Sequence, residues 1–504
     1  MSTALKEAGI VVAALLASAV VLAPLARARA AAMLGALVLT PVLLLAEIWD
    51  TPQLDPVRSR PALAVAGGVA ALAAVALAAW AIDRRPVLLA LGAVLALPFR
   101  IPIEAGGESA NLLVPLYFVV AAGALAFAVP RLRGQRPARE DTTRGALEWL
   151  LLGAVVLYAL QAAYSSDFGK ALNQVVFFYV PFALLYALLA GLEWTSDLAR
   201  RCLYVLVGLA LAFSAVGFLE YATRTVLLNP EVVASNQFQT YFRVSSLFFD
   251  PNIYGRFLVV VMTALVAVLL WSARQRTLVL ATAALAVLFG GLVLTLSQSS
   301  LAALLTGLVV LAALRWSAPW TLATVAGVAA LAAATVFAFP STVDVDLGSG
   351  ESVDKATSGR VELLEGGVRL FADRPVLGWG SGSFTEEFRA AERVSGEQAA
   401  DASHTIPVTV AAEQGALGLA LYLALLGAAF LRLVRGARAS PVRAAIAAAF
   451  AGLVVHTLLY AAFLEDPLAW TLLAAGTAFA LRAPAEDDPA GEPSGDLEAG
   501  PAEA

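Results

Sequence analysis

Long apolar runs alternate with short polar connections along almost the whole chain. Apolar stretches of about 18 residues or more are typical of helices that cross a bilayer, whereas a membrane barrel shows alternation in segments of about ten residues. The pattern therefore predicts an all-α polytopic transmembrane bundle with about 13–15 spans. The candidate spans are roughly 9–25, 32–48, 62–82, 86–99, 111–129, 146–163, 172–191, 203–221, 254–271, 278–296, 300–314, 320–339, 406–432, 443–463 and 467–481.

The composition supports the membrane prediction. Of 504 residues, 60% are hydrophobic and 14% are charged, against about 25% charged in a soluble domain. The tail 483–504 holds seven of the 38 acids and no base, so the net charge of −5 reflects the tail. We expect a membrane domain over 1–482, with a core over about 150–480, and a disordered acidic tail. The basic residues are dispersed, which argues against a nucleic-acid partner.

The arginine distribution predicts an orientation in the cell membrane. Short loops rich in arginine remain cytoplasmic. Loops 130–145, 272–277 and 433–442 carry most of these arginines, and even numbers of candidate spans separate them. The same alternation places loops 222–253 and 340–404 on the external side, and the tail in the cytoplasm.

The segment from Pro340 to His404 interrupts the apolar pattern. It carries 12 acidic and 6 basic residues and ends in one of the chain's two histidines. The spacing of its apolar residues predicts a surface helix after Ser358, with Arg360 in the first turn. The Gly-rich sequence 378–382 predicts a tight turn that packs this helix, because no strand precedes it and no phosphate-binding motif follows.

The external segment before the span at 254 contains an isolated cation, Arg243. It could snorkel to the interface or bind a phosphate or pyrophosphate as a fork. Asp250, Pro251 and Asn252 predict a turn that begins the next helix, with Asn252 able to cap it. The polar group Ser297–Ser300 could be a tight turn or could present hydroxyls to a polar substrate.

His404 precedes the span that begins near Ile406, and it is a candidate acid–base because histidine exchanges protons near neutral pH. Glu413 follows inside the span, where a carboxylate needs a partner or a cavity. The second histidine, His456, is expected to make an interhelical hydrogen bond instead. The single cysteine, Cys202, cannot form an internal disulfide and is expected to be a small core residue.

Several short motifs, in this order, resemble the O-antigen ligase and polymerase superfamily of Wzy/WaaL-like membrane glycosyltransferases. They are Arg-Val-x-x-x-Phe-x-Asp-Pro-Asn at 243–252, Leu-Thr-x-Ser at 294–297, Gly-Arg at 359–360, Pro-x-x-Gly-x-Gly at 375–380, His404, and Glu-x-Gly at 413–415. The resemblance extends over roughly residues 150–480.

The resemblance implies transfer of a glycan from an undecaprenyl-pyrophosphate carrier to a hydroxyl of an acceptor glycan, lipid or protein at the external membrane face. It implies no metal, cofactor or nucleotide sugar. Arg243 and Arg360 would hold the pyrophosphate and His404 would activate the hydroxyl. We expect supporting roles for Asp250, Asn252, Ser297 and Glu413.

Two positions depart from the family pattern. Gln298 stands where an arginine often follows the serine, and Thr405 stands where an asparagine often follows the histidine. The second departure leaves open whether the chain is a ligase or a polymerase. The main alternative function is a transporter or flippase for a polar lipid or solute. Transporters concentrate charge within broken spans, whereas the polar residues here gather outside them. A sensory or structural protein with a partner-binding loop is a third interpretation.

Overall fold

The computed structural model describes residues 2–49, 54–105, 108–135, 144–228, 242–321, 323–327, 360–392, 405–460 and 462–481. The described part is helical almost throughout. Its helices are α1 Thr3–Leu22, α2 Ala26–Ile48, α3 Asp55–Ser59, α4 Pro61–Arg84, α5 Val87–Ala96, α6 Val114–Leu132, α7 Ala146–Gln161, α8 Phe168–Gln174, α9 Val180–Ala190, α10 Ser196–Thr223, α11 Pro251–Trp271, α12 Gln275–Thr295, α13 Gln298–Arg315, α14 Arg360–Asp373, α15 Phe384–Glu392, α16 Ile406–Val434, α17 Pro441–Leu459 and α18 Pro467–Leu481.

This architecture confirms the predicted all-α membrane bundle. Among the described residues, 12 helices are long and apolar enough to cross a membrane, and α5 and α18 are shorter apolar helices. At the candidate span 86–99, the structure has the ten-residue helix α5, Val87–Ala96. Residues 318–321 and 323–327 are also helical, and the rest of the candidate span at 320–339 lies outside the described residues.

A two-stranded hairpin, which the hydrophobic pattern did not predict, follows α5. Strand β1, Ile101–Ala105, pairs antiparallel with β2, Glu108–Leu112, and Ile101 lies opposite Leu112. The pair returns the chain to the start of α6. The hairpin is a local addition to the helical bundle.

Local sequence signals begin several helices. The hydroxyl of Thr195 accepts a hydrogen bond from the Leu198 amide at 3.1 Å, and the Asp167 carboxylate accepts one from the Lys170 amide at 2.9 Å. Proline occupies the first turn of α4, α6, α9, α11, α16 and α17, where its missing N–H costs no hydrogen bond. These caps fix where each apolar run enters the bundle.

Two hydrophobic cores position the site. The larger one surrounds α9, where Phe182 and Tyr186 are buried, and α18, where Trp470 is buried. The smaller core joins α10, α11, α12 and α13, and Phe213 packs edge-on against Phe248 with ring centroids 5.2 Å apart. Helix α4 lies outside both cores, and most of its side chains are exposed. These cores hold the ends of α11, α13, α16 and α17 in fixed relation.

Arginine side chains tie the loops at one end of the bundle to neighbouring helix ends. Arg144 donates a hydrogen bond to the Ala23 carbonyl at 2.9 Å, and Arg315 donates one to Leu270 at 3.0 Å. Arg432 pairs with the buried Glu148 at 3.4 Å. We call this end, where α1, α11, α13 and α16 finish, the basic end. Its composition matches the predicted cytoplasmic loops.

The opposite end of the bundle holds the connections that the sequence placed together. Thr405 donates a hydrogen bond to the Leu458 carbonyl at 3.0 Å, which joins the start of α16 to the end of α17. Lys170 at the start of α8 contacts Thr385 in α15 at 3.0 Å. We call this end the site end. The described parts of loops 222–253 and 340–404 both lie there.

Candidate active site at one end of the bundle

Arg243 lies on a segment that a buried carboxylate anchors. Glu220, near the end of α10, is 1% exposed and accepts hydrogen bonds from the amides of Ser245, at 3.1 Å, and Ser246, at 2.7 Å. The Val244 amide donates to Leu294 in α12 at 3.2 Å. Glu220 therefore fixes the backbone next to Arg243.

The Arg243 side chain spans two elements of the site. Its Nε donates to the Thr295 carbonyl at 3.0 Å, and its Nη2 lies 3.4 Å from the Asn252 side-chain oxygen. The same Asn252 oxygen accepts a hydrogen bond from the Ser297 hydroxyl at 2.8 Å. The structure thus brings together three of the residues singled out in the sequence. It holds Arg243 in a polar cluster, and the anion-binding role of Arg243 stays a prediction.

The capping prediction for α11 was wrong about the residue. Asp250, not Asn252, is the N-cap, because its carboxylate accepts from the amides of Asn252 and Ile253 at 2.5 and 3.4 Å. Asn252 lies inside the first turn, so its side chain is available to Ser297. The second Asp250 oxygen accepts from the Tyr460 hydroxyl at 2.8 Å. Burial and the neighbouring Asp250 carboxylate raise the pKa of Tyr460 well above its ordinary value.

Ser297 caps α13 and begins a row of buried hydroxyls. It accepts from the Ser300 amide at 3.2 Å, and its hydroxyl lies 2.8 Å from that of Ser300. Gly255 of α11 allows this approach, because a Cβ there would overlap the Ser300 side chain. The polar group 297–300 is therefore a helix start whose hydroxyls face α11 and α17.

His456 makes the interhelical contacts predicted for it. Its Nδ1 accepts from the Arg256 guanidinium, with Nε at 3.2 Å and Nη2 at 3.1 Å. Because arginine only donates, the His456 proton resides on Nε2, which lies 3.2 Å from the hydroxyls of Ser299 and Ser300. The imidazole is fully buried. His456 is thus a neutral link between α11, α13 and α17.

Arg256 was missed in the sequence although it interrupts the apolar run of α11. It is 2% exposed, forms an ion pair with the buried Asp466, and donates to the Ala462 carbonyl at 3.1 Å. Glu465 and Asp466 lie at the site end, and both carboxylates have protein partners. Charge is therefore present within the spans, but buried pairs neutralise it.

Arg100, just before the hairpin, brings another cation to this cluster. Burial lowers the pKa of its guanidinium, the negative charge of Asp466 opposes that shift, and the positive charge of Arg256 adds to it. No hydrogen bond or ion pair joins the Arg100 side chain to another described residue. The sequence did not predict this position for Arg100, because the hairpin that directly follows Arg100 was not predicted.

The Gly-rich turn packs against a break in α16. Gly415 has φ 67° and ψ −165°, a conformation essentially confined to glycine. The break leaves backbone groups for the turn: Trp379 N–H donates to the Ala412 carbonyl at 3.1 Å, and Gly380 N–H donates to the Glu413 carbonyl at 2.8 Å. The indole of Trp379 also donates to Leu370 of α14 at 2.9 Å. The predicted tight turn is confirmed, and it joins the surface helix to α16.

Glu413 has the partners that its position inside a span requires. One carboxylate oxygen accepts from the Gly382 amide at 2.8 Å, and the other accepts from the Phe384 amide at 3.2 Å. Phe384 is the first residue of α15, so the carboxylate lies at a helix N-terminus, where negative charge is stabilised. Glu413 therefore has a structural role, because it joins α16 to the Gly-rich turn and to the start of α15.

Arg360 and His404 are the other two predicted site residues, and the side chain of neither is described. Arg360 is the first residue of α14, as the predicted surface helix required, but its side chain lies outside the described part of the structure. His404 and Ser358 also lie outside the described residues. Thr405 follows His404 directly in the sequence and occupies the N-cap position of α16 at the site end. The proposed roles of Arg360 and His404 stay predictions.

A cavity of about 360 Å³ opens beside the start of α16. Helices α7, α8, α15 and α16 and the loop between α17 and α18 line it. Gln174 accepts from Tyr158 at 2.7 Å, and Tyr179 donates to Glu465 at 2.8 Å. Burial raises the pKa of the Glu465 carboxyl, and its hydrogen bond from Tyr179 partly opposes the shift. None of the cavity's polar residues except Glu413 was singled out in the sequence.

The described residues contain no group of three or more histidine, cysteine, aspartate or glutamate side chains placed to hold a metal ion. Cys202 is buried and unpaired, as expected for a small core residue. The independence of the reaction from metal ions stays a prediction.

Fold and site together define a polytopic membrane protein with a polar site at one end of a helical bundle. Residues 283–423 match the family model described as O-Antigen ligase, which confirms the resemblance to the O-antigen ligase and polymerase superfamily over that segment. No curated protein matches the chain. The domain supports a glycosyltransferase-type role in polysaccharide biosynthesis. Arg243, Asp250 and Asn252 precede the matched segment, and the hydrogen bond from Ser297 ties them to it.

Proposed function

We propose that this protein transfers a glycan from an undecaprenyl-pyrophosphate carrier to an acceptor hydroxyl at the external face of the cell membrane. The observation that carries the proposal is the hydrogen-bonded cluster of Arg243, Asn252 and Ser297. It lies at the end of the bundle opposite the arginine loops. By the loop-charge rule that end is external, and the carboxyl-terminal end of α18 is then cytoplasmic.

The anion-binding half of the site would consist of arginines. Arg243 is held by the Thr295 carbonyl and Asn252, so its orientation costs little entropy when a pyrophosphate arrives. Arg360 would approach the pyrophosphate from the start of α14. Arg100, close to the buried Arg256, would add a third positive charge to the anion-binding half. Cations placed where charge develops stabilise a departing pyrophosphate.

The proton-accepting half would be His404, two residues before the start of α16. The acceptor oxygen would attack the anomeric carbon of the glycan while His404 removes its proton. The bond between that carbon and the pyrophosphate oxygen would break, and undecaprenyl pyrophosphate would leave with the electron pair. A pyrophosphate leaving group needs charge stabilisation and one base, so these residue types suffice for the step.

The experiment uses a strain that lacks the gene and is complemented with the full-length chain. His404→Ala and Arg360→Ala should abolish glycan polymerisation or attachment while the protein still inserts in the membrane. Arg369→Ala is the matched control, because Arg369 is a half-exposed arginine of the same helix as Arg360. Wild-type glycan profiles in both site variants would refute the proposal.

A further inference from the structure

The cavity beside α16 has the chemistry of a sugar site and not of an anion site. Four carboxyl groups and two cations line it. These residues are Asp167, Glu386, Glu413, Glu465, Lys170 and Arg389. A pyrophosphate would meet an excess of negative charge there. A lipid chain would displace water from these charged side chains and offer them no hydrogen bond in return, which is costly.

The polar groups of the cavity suit a ligand rich in hydroxyls. Carboxylates accept hydrogen bonds only, and a sugar hydroxyl can donate to them while accepting from another group. The Gln174 carbonyl oxygen already accepts from the Tyr158 hydroxyl at 2.7 Å, which orients the amide. No acceptor within the described part of the chain bonds the Gln174 amino group, so its donors are available to a ligand. Lys170, one helical turn earlier in α8, supplies another donor.

The cavity is also the right size and in the right place. Its volume of about 360 Å³ lies at the lower end of the range for small-molecule sites, about 300–1,000 Å³. Ile406 and Thr409 of α16 contribute to its wall, two and five residues after His404. The loop between α17 and α18, here called the 460–466 loop, separates the cavity from the arginine cluster. This cluster consists of Arg243 and Arg100, which are proposed above to bind the pyrophosphate. Within the loop, Tyr460 contacts Asp250 on one side, and Glu465 contacts Tyr179 on the other.

We infer that this cavity is the acceptor subsite and binds the terminal sugar whose hydroxyl receives the glycan. The inference rests on the proposed function. It assigns the donor pyrophosphate and the acceptor sugar to opposite sides of the 460–466 loop. Lys170, Gln174 and Glu465 then determine which acceptor sugar is bound, and His404 precedes Ile406 of the cavity wall by two residues.

The test uses the full-length protein in lipid nanodiscs with two separate probes. Diazirine derivatives of glucose, galactose, mannose, rhamnose and N-acetylglucosamine probe the cavity, and undecaprenyl pyrophosphate probes the arginine cluster. At least one sugar should label peptides of α8 or the first half of α16. Lys170→Met should reduce this labelling at least about tenfold, the effect of losing one charge-assisted hydrogen bond. Lys6→Met, which breaks the remote Lys6–Glu47 pair, is the matched control and should leave it unchanged.

A second variant keeps the test decisive if Lys170→Met unfolds the protein. Val410→Trp would fill the cavity without removing a polar contact, and should also abolish labelling. Both cavity variants should bind undecaprenyl pyrophosphate as the wild type does. Labelling that is absent, lies elsewhere or persists in Val410→Trp would overturn the inference. The proposed function would survive that result if wild-type protein still transfers glycan, and it would fail separately if no transfer occurs.

Discussion

The guanidinium of Arg256 and the imidazole of His456 form the innermost contact of the site, with Arg256 Nε 3.2 Å from His456 Nδ1. This contact connects two features that the sequence separates by 200 residues. Arg256 also forms an ion pair with Asp466. On the other side of the ring, His456 Nε2 lies 3.2 Å from the hydroxyls of Ser299 and Ser300. The rigid support beneath Arg243 and Ser297 is therefore a buried polar network with a fixed histidine tautomer.

Removing one member of the buried ion pair should destabilise the protein strongly. Arg256→Met removes the ion-pair partner of the buried Asp466, and we expect a loss of about 3–5 kcal/mol in the free energy of unfolding. The double variant Arg256→Met with Asp466→Leu should recover part of that loss, because both members of the ion pair are then removed together. Denaturant titration in detergent micelles measures both. Equal stability of the single and double variants would show that the pair is not coupled.

The two histidines should behave differently when replaced. His456→Ala removes the acceptor for Arg256 and the link to two serines, so we expect a stability loss of about 1–3 kcal/mol and reduced but measurable glycan transfer. His404→Ala should abolish transfer and leave stability nearly unchanged. Thermal unfolding and glycan transfer are measured on the same preparations. If His456→Ala were fully inactive at wild-type stability, its role would be chemical and not structural.

The break in α16 should depend on Gly415. Gly415→Ala would force alanine into a conformation essentially confined to glycine and place its Cβ against the Val376 carbonyl. We expect a loss of more than about 2 kcal/mol. Gly427→Ala in the same helix is the control, because a Cβ there meets no neighbouring atom within 4 Å and alanine favours helices by about 1 kcal/mol. Similar melting temperatures for the two variants would contradict the structural role of the break.

Much of the fold could be predicted from hydrophobicity, because most spans are long apolar runs bounded by polar residues. The hairpin at 101–112 could not, because its two strands are too short to show a period. The site was predictable where a polar residue interrupts a pattern, as at Arg243, Ser297 and Glu413. Lys170 and Gln174 lie in α8, and only tertiary packing brings them to the cavity. The capping error at Asn252 arose because Asp250 and Asn252 are both good caps.

Glu220 should control pyrophosphate affinity without touching the ligand. Glu220→Ala removes the acceptor for the amides of Ser245 and Ser246, so the segment that carries Arg243 loses its anchor. We expect binding of undecaprenyl pyrophosphate to weaken about tenfold, whereas Glu220→Gln, which keeps one acceptor oxygen, should weaken it less. Isothermal titration in nanodiscs measures the affinities. Unchanged affinity in Glu220→Ala would mean that the segment does not depend on this carboxylate.

The most direct test of the central claim is glycan transfer in proteoliposomes that contain only the purified protein, an undecaprenyl-pyrophosphate-linked glycan and the acceptor isolated from the source cells. The wild type should release undecaprenyl pyrophosphate and form one glycosidic bond for each molecule released. Arg243→Ala, Arg360→Ala and His404→Ala should each lower the rate at least about a hundredfold, as loss of a general base or a transition-state cation does, and Arg369→Ala should not. Movement of the intact donor across the bilayer without release of undecaprenyl pyrophosphate would contradict the claim and favour a transporter.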